Sequence, residues 1–237
     1  MKKIHIVAGG KGERIADYCD VVGVKVKHLL PVANTNLLLN NCQQALSSFK
    51  HIVVSASSQN VGYFENFFYT EKRFHKQVSL SIDYQLTGPL GPIAREMFRS
   101  KSKTLFLATG DAYADFEWES LIKFHQKVKT PVTLLAAASV SVPNGAVFTV
   151  RNDGLITDWE RKLITNETDL INIGYYCINN DKEVKQIFKK MTQHKEDDFF
   201  KELISKELVS AYVIPNAFNV NTLEAYRALQ EYILMKK

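Results

Sequence analysis

The first 138 residues alternate short apolar runs of strand length with stretches of helical periodicity. Strand-like runs fall at residues 4–8, 51–56, 78–85, 104–109 and 131–138, with helical stretches near 36–48, 60–72, 92–101 and 117–128. In the last of these Trp118, Leu121, Ile122, His125 and Val128 recur at helical spacing. Strands separated by helices have to pair in parallel through right-handed crossovers, because a tight turn cannot return a chain to a parallel neighbour. The expected class is therefore α/β, a three-layer α/β/α arrangement with a mostly parallel central sheet.

After residue 140 the rhythm changes. Short strand-like runs at 146–150, 155–159 and 173–178 are separated by the turn signals Pro143-Asn144-Gly145 and Asn152-Asp153-Gly154. Helices are expected again at 181–193 and 197–207, a strand near 211–214, and a closing helix at 222–235 with Leu223, Tyr226, Leu229 and Ile233 on one face. This describes a small mixed β lobe built onto the parallel part. No internal repeat or linker is visible, so the reading is one domain over 1–237, with parts at about 1–140 and about 141–237.

Composition narrows the function classes. Hydrophobic residues make up 46% and charged residues 23%, the balance of a chain with a proper core. The net charge of +5 is spread along the sequence, which suits anionic small molecules and argues against nucleic acid. Cys19, Cys42 and Cys177 are far apart, without metal-ligand spacing, as in a reducing compartment. Neither a signal peptide nor a membrane span is read, so a cytoplasmic protein is expected.

The end of the first strand carries the chemistry. In "VAGGKGERI" (7–15), Gly9, Gly10 and Gly12 follow the apolar run, with Lys11 and Arg14 among them. Ligands of open parallel sheets lie at the carboxyl ends of strands. Glycines there can bring backbone N–H groups against phosphate oxygens, and the cations can neutralise them. The P-loop spacing is absent, and Ile15 stands where the dinucleotide fingerprint needs its third glycine. Alone, the glycines are equally consistent with a tight turn.

Downstream segments decide between the two. "KHLLPV" (27–32) follows the loop, and "GPLGPIA" (88–94), "LATGDAYAD" (107–115), "NGAVF" (144–148), "TDWERK" (157–162), "NIGYYCIN" (172–179) and "NVNTLEAYRAL" (219–229) follow in order. Together with Gly9-Gly10-Lys11-Gly12-Glu13-Arg14 they resemble the signature of the sugar-1-phosphate nucleotidyltransferases, a Rossmann-like family, over nearly the whole chain. The resemblance implies transfer of NMP from an NTP to a sugar 1-phosphate, with release of pyrophosphate and formation of an NDP-sugar. Mg²⁺ is the implied cofactor, and NTP and sugar 1-phosphate are the implied partners, in a monomer or homodimer.

It also implies roles by position. Ala8, Gly9, Gly10, Lys11 and Gly12 would cradle the nucleotide, with Gln85 and Gly91 beside the base. Arg14 would meet the leaving pyrophosphate and Lys27 the α-phosphate, while Asp111 would hold magnesium together with Asn219. Gly145, Lys162, Asn172 and Gly174 would line the sugar-phosphate pocket, Arg161 replacing Lys162 if the register slips by one. Each has a structural alternative: Asp111 as a turn cap, Arg14 and Lys27 as surface cations, Asn172 as a strand-end turn residue, Asn219 or Asn221 as the start of the last helix, where Asn221 and Glu224 have helix-start spacing.

The sequence departs from the family signature at Glu13, in a long 14–27 loop, at Pro92-Ile93-Ala94, and at Asn219, where a second magnesium-binding Asp is usual. Two rival readings follow. Bacterial phosphocholine cytidylyltransferases resemble the same fold, and Trp159, Tyr175, Tyr176 and Tyr113 are candidates for an aromatic cage or for plain core. A non-catalytic nucleotide-binding regulator is the other. A C-terminal β-helix, often attached in the family, is not expected here.

Overall fold

A computed structural model describes residues 2–10, 12–84, 88, 90–138, 144–163, 169–191 and 196–236, with backbone alone at 144, 145, 162 and 163. Strand β1 (Lys3–Val7) is followed by α1 (Ala16–Val21), the short strands β2 (Pro31–Val32) and β3 (Thr35–Asn36), α2 (Leu37–Leu46), β4 (His51–Ser57), α3 (Val61–Thr70) and β5 (Val78–Asp83). Then come α4 (Gly91–Arg99), β6 (Thr104–Thr109), β7 (Ala112–Ala114), α5 (Trp118–Lys127) and β8 (Val132–Ala138). Strands β9 (Asn144–Val150), β10 (Ile156–Leu163) and β11 (Leu170–Asn179) lead to α6 (Lys182–Lys190) and α7 (Glu196–Ser205). Strands β12 (Val209–Ile214) and β13 (Ala217–Asn219) precede the last helix, α8 (Leu223–Met235). The chain has the α/β class expected from its alternating pattern.

Contacts divide the chain into two compact units, one of Met1–Leu86, Ala108–Ala114 and Phe218–Lys237, the other of Thr87–Leu107 and Asp115–Ala217. In the first, β1 pairs in parallel with β4, from Lys3 opposite His51 to Val7 opposite Ser55, and β4 pairs in parallel with β5. Ile4, Ile6, Ile52, Val54 and Ala56 are fully buried, the signature of strands covered on their apolar face. Helix α2 starts at Asn36, whose side chain accepts from the Leu39 N–H at 2.8 Å. Helix α8 buries Ala225, Tyr226, Leu229 and Ile233; the last three pack with Ile15, Cys19, Leu30, Val32, Leu37, Phe218 and Val220.

The 14–27 stretch differs from the expected loop. It contains α1, held down by buried Cys19 and closed where Val24 donates to the Cys19 carbonyl at 2.9 Å. Six residues with one buried position carry too little periodicity to be seen in the sequence. Strands β7 and β13, each of three residues, were invisible for the same reason; they form a separate two-stranded ribbon.

In the second unit β8 is the central strand, antiparallel to β11 and parallel to β12. It is buried from Val132 to Ala137, as a two-sided strand should be. Strand β9 pairs antiparallel with β10 and β11. Helix α5 buries Trp118, Leu121, Ile122 and His125, the stripe read from the sequence. The candidate cage aromatics of this unit are core: Trp159 stacks between Phe148 (5.7 Å) and Phe200 (4.5 Å), and Tyr175 packs on Phe116 and Trp118. Tyr113, in the first unit, packs on Phe218 and Tyr232.

Candidate active site

The first unit gathers the glycine loop, Lys27 and Asp111 at the end of β1. Gly110 makes that possible. Its N–H donates to the Val7 carbonyl at 2.8 Å, and a β-carbon there would lie 3.1 Å from the His28 ring and 3.3 Å from that carbonyl. Only a residue without a side chain lets the β6–β7 connection press against the end of β1. Asp111, the next residue, is thereby fixed beside the loop, and its carbonyl accepts from the Val220 N–H at 2.9 Å.

Gly12 is constrained twice. It has φ +70°, and a β-carbon on it would sit 3.3 Å from the Lys27 Cγ and 3.4 Å from its Cδ. Lys27, on a single 3₁₀ turn of residues 27–29, therefore runs its aliphatic stem beneath the loop. The side chain is buried, 8% exposed. Its ammonium donates to Asp111 Oδ2 and to Asn221 Oδ1, and the Asn221 amide donates to Asn219 Oδ1. Burial alone would raise the Asp111 pKa; the Lys27 charge, the His28 ring in its protonated form at low pH and the bond from Lys27 outweigh it and hold the carboxyl below its ordinary value. His28 is 2% exposed, its imidazole pushed down to about 4 by burial and by the Lys27 charge, against the pull of Asp111. Beside the ammonium it is a neutral ring.

A cleft of about 420 Å³ opens over this network, lined by Gly10, Gly12, Glu13, Arg14, Lys27 and Asn221. Arg14 is exposed on its wall. One ammonium, one guanidinium and glycine backbone facing a cleft of this size suit a polyphosphate. Asp111, Asn219 and Asn221 offer hard oxygen donors of the kind magnesium takes. Among the described residues no group of three or more His, Cys, Asp or Glu could hold a metal by itself. The donors therefore fit a magnesium ion that arrives with phosphate oxygens and water, and do not form a protein-only cage.

The second unit holds a separate polar cluster. A register shift in β11 between Asn172 and Tyr176 coincides with Gly174 at φ +85°. Asn172 Oδ1 accepts from the Gly174 N–H at 3.0 Å, and its amide donates to the Tyr176 hydroxyl at 2.6 Å and to Glu196 Oε1 at 3.0 Å. The Tyr176 hydroxyl in turn donates to Glu196. Burial raises the Glu196 carboxyl and, with the Glu196 charge, pushes the Tyr176 phenol well above its usual value. Arg161 reaches Asp197 through two bonds of 2.9 Å and lies 3.6 Å from Glu196. Glu196 and Asp197 were not singled out in the sequence, because acidic residues in the first turn of a helix are common wherever they complement its dipole and carry no mark of a site.

The remaining expectations divide. Gly91 is buried at the start of α4, its N–H bonded to the Gly88 carbonyl at 3.1 Å. Gly145 of β9 stands opposite Lys162 of β10. Lys11 and Gln85 lie outside the described residues. Asn221 does not cap the last helix: Thr222 does, its Oγ1 accepting from the Ala225 N–H at 3.3 Å.

Comparison with known proteins bears on this geometry directly. The family model described as nucleotidyl transferase matches residues 3–226. The chain belongs to the nucleotidyl transferase family. That is the family of the resemblance carried by the glycine loop and the segments after it. The chain is similar to the mannose-1-phosphate guanylyltransferase catalytic subunit beta of Danio rerio, 25% identical over 182 residues, covering 75% of this chain and 49% of that one. A mannose-1-phosphate guanyltransferase beta-B of Xenopus laevis matches at the same identity and coverage. The chain spans about half the length of the curated relatives it matches. Among solved structures, a Bacillus anthracis protein assigned as a glucose-1-phosphate thymidylyltransferase superposes with TM-score 0.82 at 15% identity, covering 98% of this chain and 95% of that one. The inositol-1-phosphate CTP transferase of T. maritima superposes with TM-score 0.74 at 14% identity, covering 98% and 96%. HddC of Yersinia pseudotuberculosis complexed with GMP-PN does so with TM-score 0.74 at 17% identity, covering 98% and 99%. These structures share the fold of this nucleotidyl transferase.

Proposed function

We propose that the chain transfers NMP from an NTP to a sugar 1-phosphate, releasing pyrophosphate and leaving an NDP-sugar. The observation that carries this reading is the buried Lys27 ammonium, run beneath the glycine loop to Asp111 and open to a cleft that Arg14 also lines. The nucleophile is the acceptor's own phosphate oxygen, so the protein needs no covalent catalyst. It needs charge neutralisation and in-line positioning.

On this reading the backbone of Ala8, Gly9, Gly10, Lys11 and Gly12 holds the triphosphate, with Gln85 and Gly91 toward the base. Arg14 neutralises the leaving pyrophosphate. Lys27 exchanges its carboxylate partner for the α-phosphate and keeps the incoming and transferred phosphates together. Magnesium, held by Asp111 and the Asn219 amide oxygen, would supply further charge neutralisation on the phosphates. Asn172, held by Gly174, joins Glu196 and Tyr176 in a set of donors and acceptors suited to hydroxyls, which supports a polyol acceptor. Lys162 is assigned to its phosphate and Gly145 to the sugar pocket beside Asn172 and Gly174. Three buried free cysteines support a reducing, cytoplasmic setting, and no helix among the described residues is long and apolar enough to cross a membrane.

The test is pyrophosphate release from each of ATP, CTP, GTP, UTP and dTTP, paired with hexose and heptose 1-phosphates and with phosphocholine. Turnover of at least one sugar pair is expected, reduced more than about a hundredfold in Asp111→Asn, the scale of losing one preorganised charge. Turnover of phosphocholine alone would move the acceptor. Nucleotide binding without pyrophosphate from any pair would make the chain a non-catalytic relative.

A further inference from the structure

An ammonium has hydrogens to donate and no lone pair to accept with. Asn221 therefore has to turn its oxygen to Lys27, which leaves its amide nitrogen facing Asn219 and obliges Asn219 to answer with oxygen. The whole orientation of both amides follows from one cation. Neither side chain starts the next helix, because Thr222 caps it. Asn221 also lines the cleft itself.

We propose that Asn221 is a positioning residue for Lys27. Oriented by Asn219, it shares the ammonium with Asp111 and holds it across the glycine loop before nucleotide arrives. With Asp111 as sole acceptor, the ammonium would be held by one charge-assisted bond fewer and would leave its place across the loop more readily. A neutral amide divides the donors and releases them cheaply to a phosphate. The hold itself stands on geometry; its catalytic consequence rests on the nucleotidyl-transfer reading above.

The experiment has two independent readouts. Competitive acetylation of the folded protein with acetic anhydride, followed by mass spectrometry, reports how free the Lys27 amine is. Losing one charge-assisted bond should raise Lys27 labelling about tenfold in Asn221→Ala. Asn219→Ala, which in the metal-free protein used for labelling only disorients the amide, should raise it less, and Asn221→Asp, isosteric and still an acceptor, should stay near wild type. In parallel, with whichever substrate pair the wild type turns over, Asn221→Ala should lower kcat about tenfold and move the NTP KM by less than about threefold. Repeated in a Lys27→Ala background, the same substitution should change kcat less than about twofold, since Asn221 acts through the lysine.

Unchanged Lys27 labelling in folded Asn221→Ala overturns the proposal, as do additive kcat losses in the double variant. A wild type that releases no pyrophosphate, whose Lys27 is nevertheless unmasked by Asn221→Ala, refutes the functional reading and leaves the positioning role standing. Should thermal melting show that Asn221→Ala does not fold, Asn219→Ala decides: Lys27 labelling must rise there, or the role is rejected.

Discussion

Gly12 combines a left-handed backbone with the Lys27 stem packed against the place where a side chain would begin. Gly12→Ala should cost about 1–2 kcal/mol from the backbone alone, and it also displaces the ammonium. Pyrophosphate release should therefore fall far more than a melting curve suggests. Equal proportional losses would deny the loop its role. The candidate residues that the structure brings together here share a property: Gly12, Lys27 and Asp111 each sit in a short segment whose neighbours announce them. Asn221 was named in the sequence only as a helix starter, because its partner Lys27 lies 194 residues away. Nothing local marks an amide that answers a distant cation. Arg161 was named only as the register alternative to Lys162, and its guanidinium is already engaged with Asp197.

One element end and one strand interior carry measurable weight. Thr222 caps α8, so Thr222→Ala should destabilise by about 0.5–2 kcal/mol. For a chain of this length that is a melting shift of roughly 2–4 °C per kcal/mol. Pyrophosphate release at low temperature should barely change, which separates the cap from its neighbour Asn221. In β11, Gly174 at φ +85° gives the register shift that turns Asn172 back on its own strand. Gly174→Ala should raise the KM for the sugar phosphate while leaving NTP binding by calorimetry unaltered. The long elements were legible because their apolar periods are unbroken, as in α5 and β8. Helix α1 and the ribbon of β7 and β13 were not, since six and three residues cannot establish a period.

At the scale of the molecule, burial of neutral histidines sets the acid limit. His125 is 5% exposed, with its ring nitrogens 2.8 Å from the Thr133 hydroxyl and 2.9 Å from Asn179 Oδ1. Burial lowers its pKa from the ordinary 6.5, and His28 is lowered to about 4. The unfolded chain therefore takes up protons that the folded one refuses. Stability should be complete above about pH 6.5 and decline as pH falls toward 4. Urea midpoints across that range check it: His125→Gln should lower the midpoint at pH 7 and flatten the slope below pH 6.5, and an unaltered slope would exclude this cause. The α/β class and its strand–helix rhythm were readable at this scale because burial writes itself into long apolar runs. The close approach of glycine loop and lysine was not, because it depends on where two turns meet in space. That meeting binds the fates of positions 12 and 27. A side chain at the first would press on the stem of the second, which would have to shift by a few tenths of an ångström and carry its amine with it. Across homologues the two sites should thus covary as one unit, and a library randomising both should return almost nothing but the glycine–lysine combination.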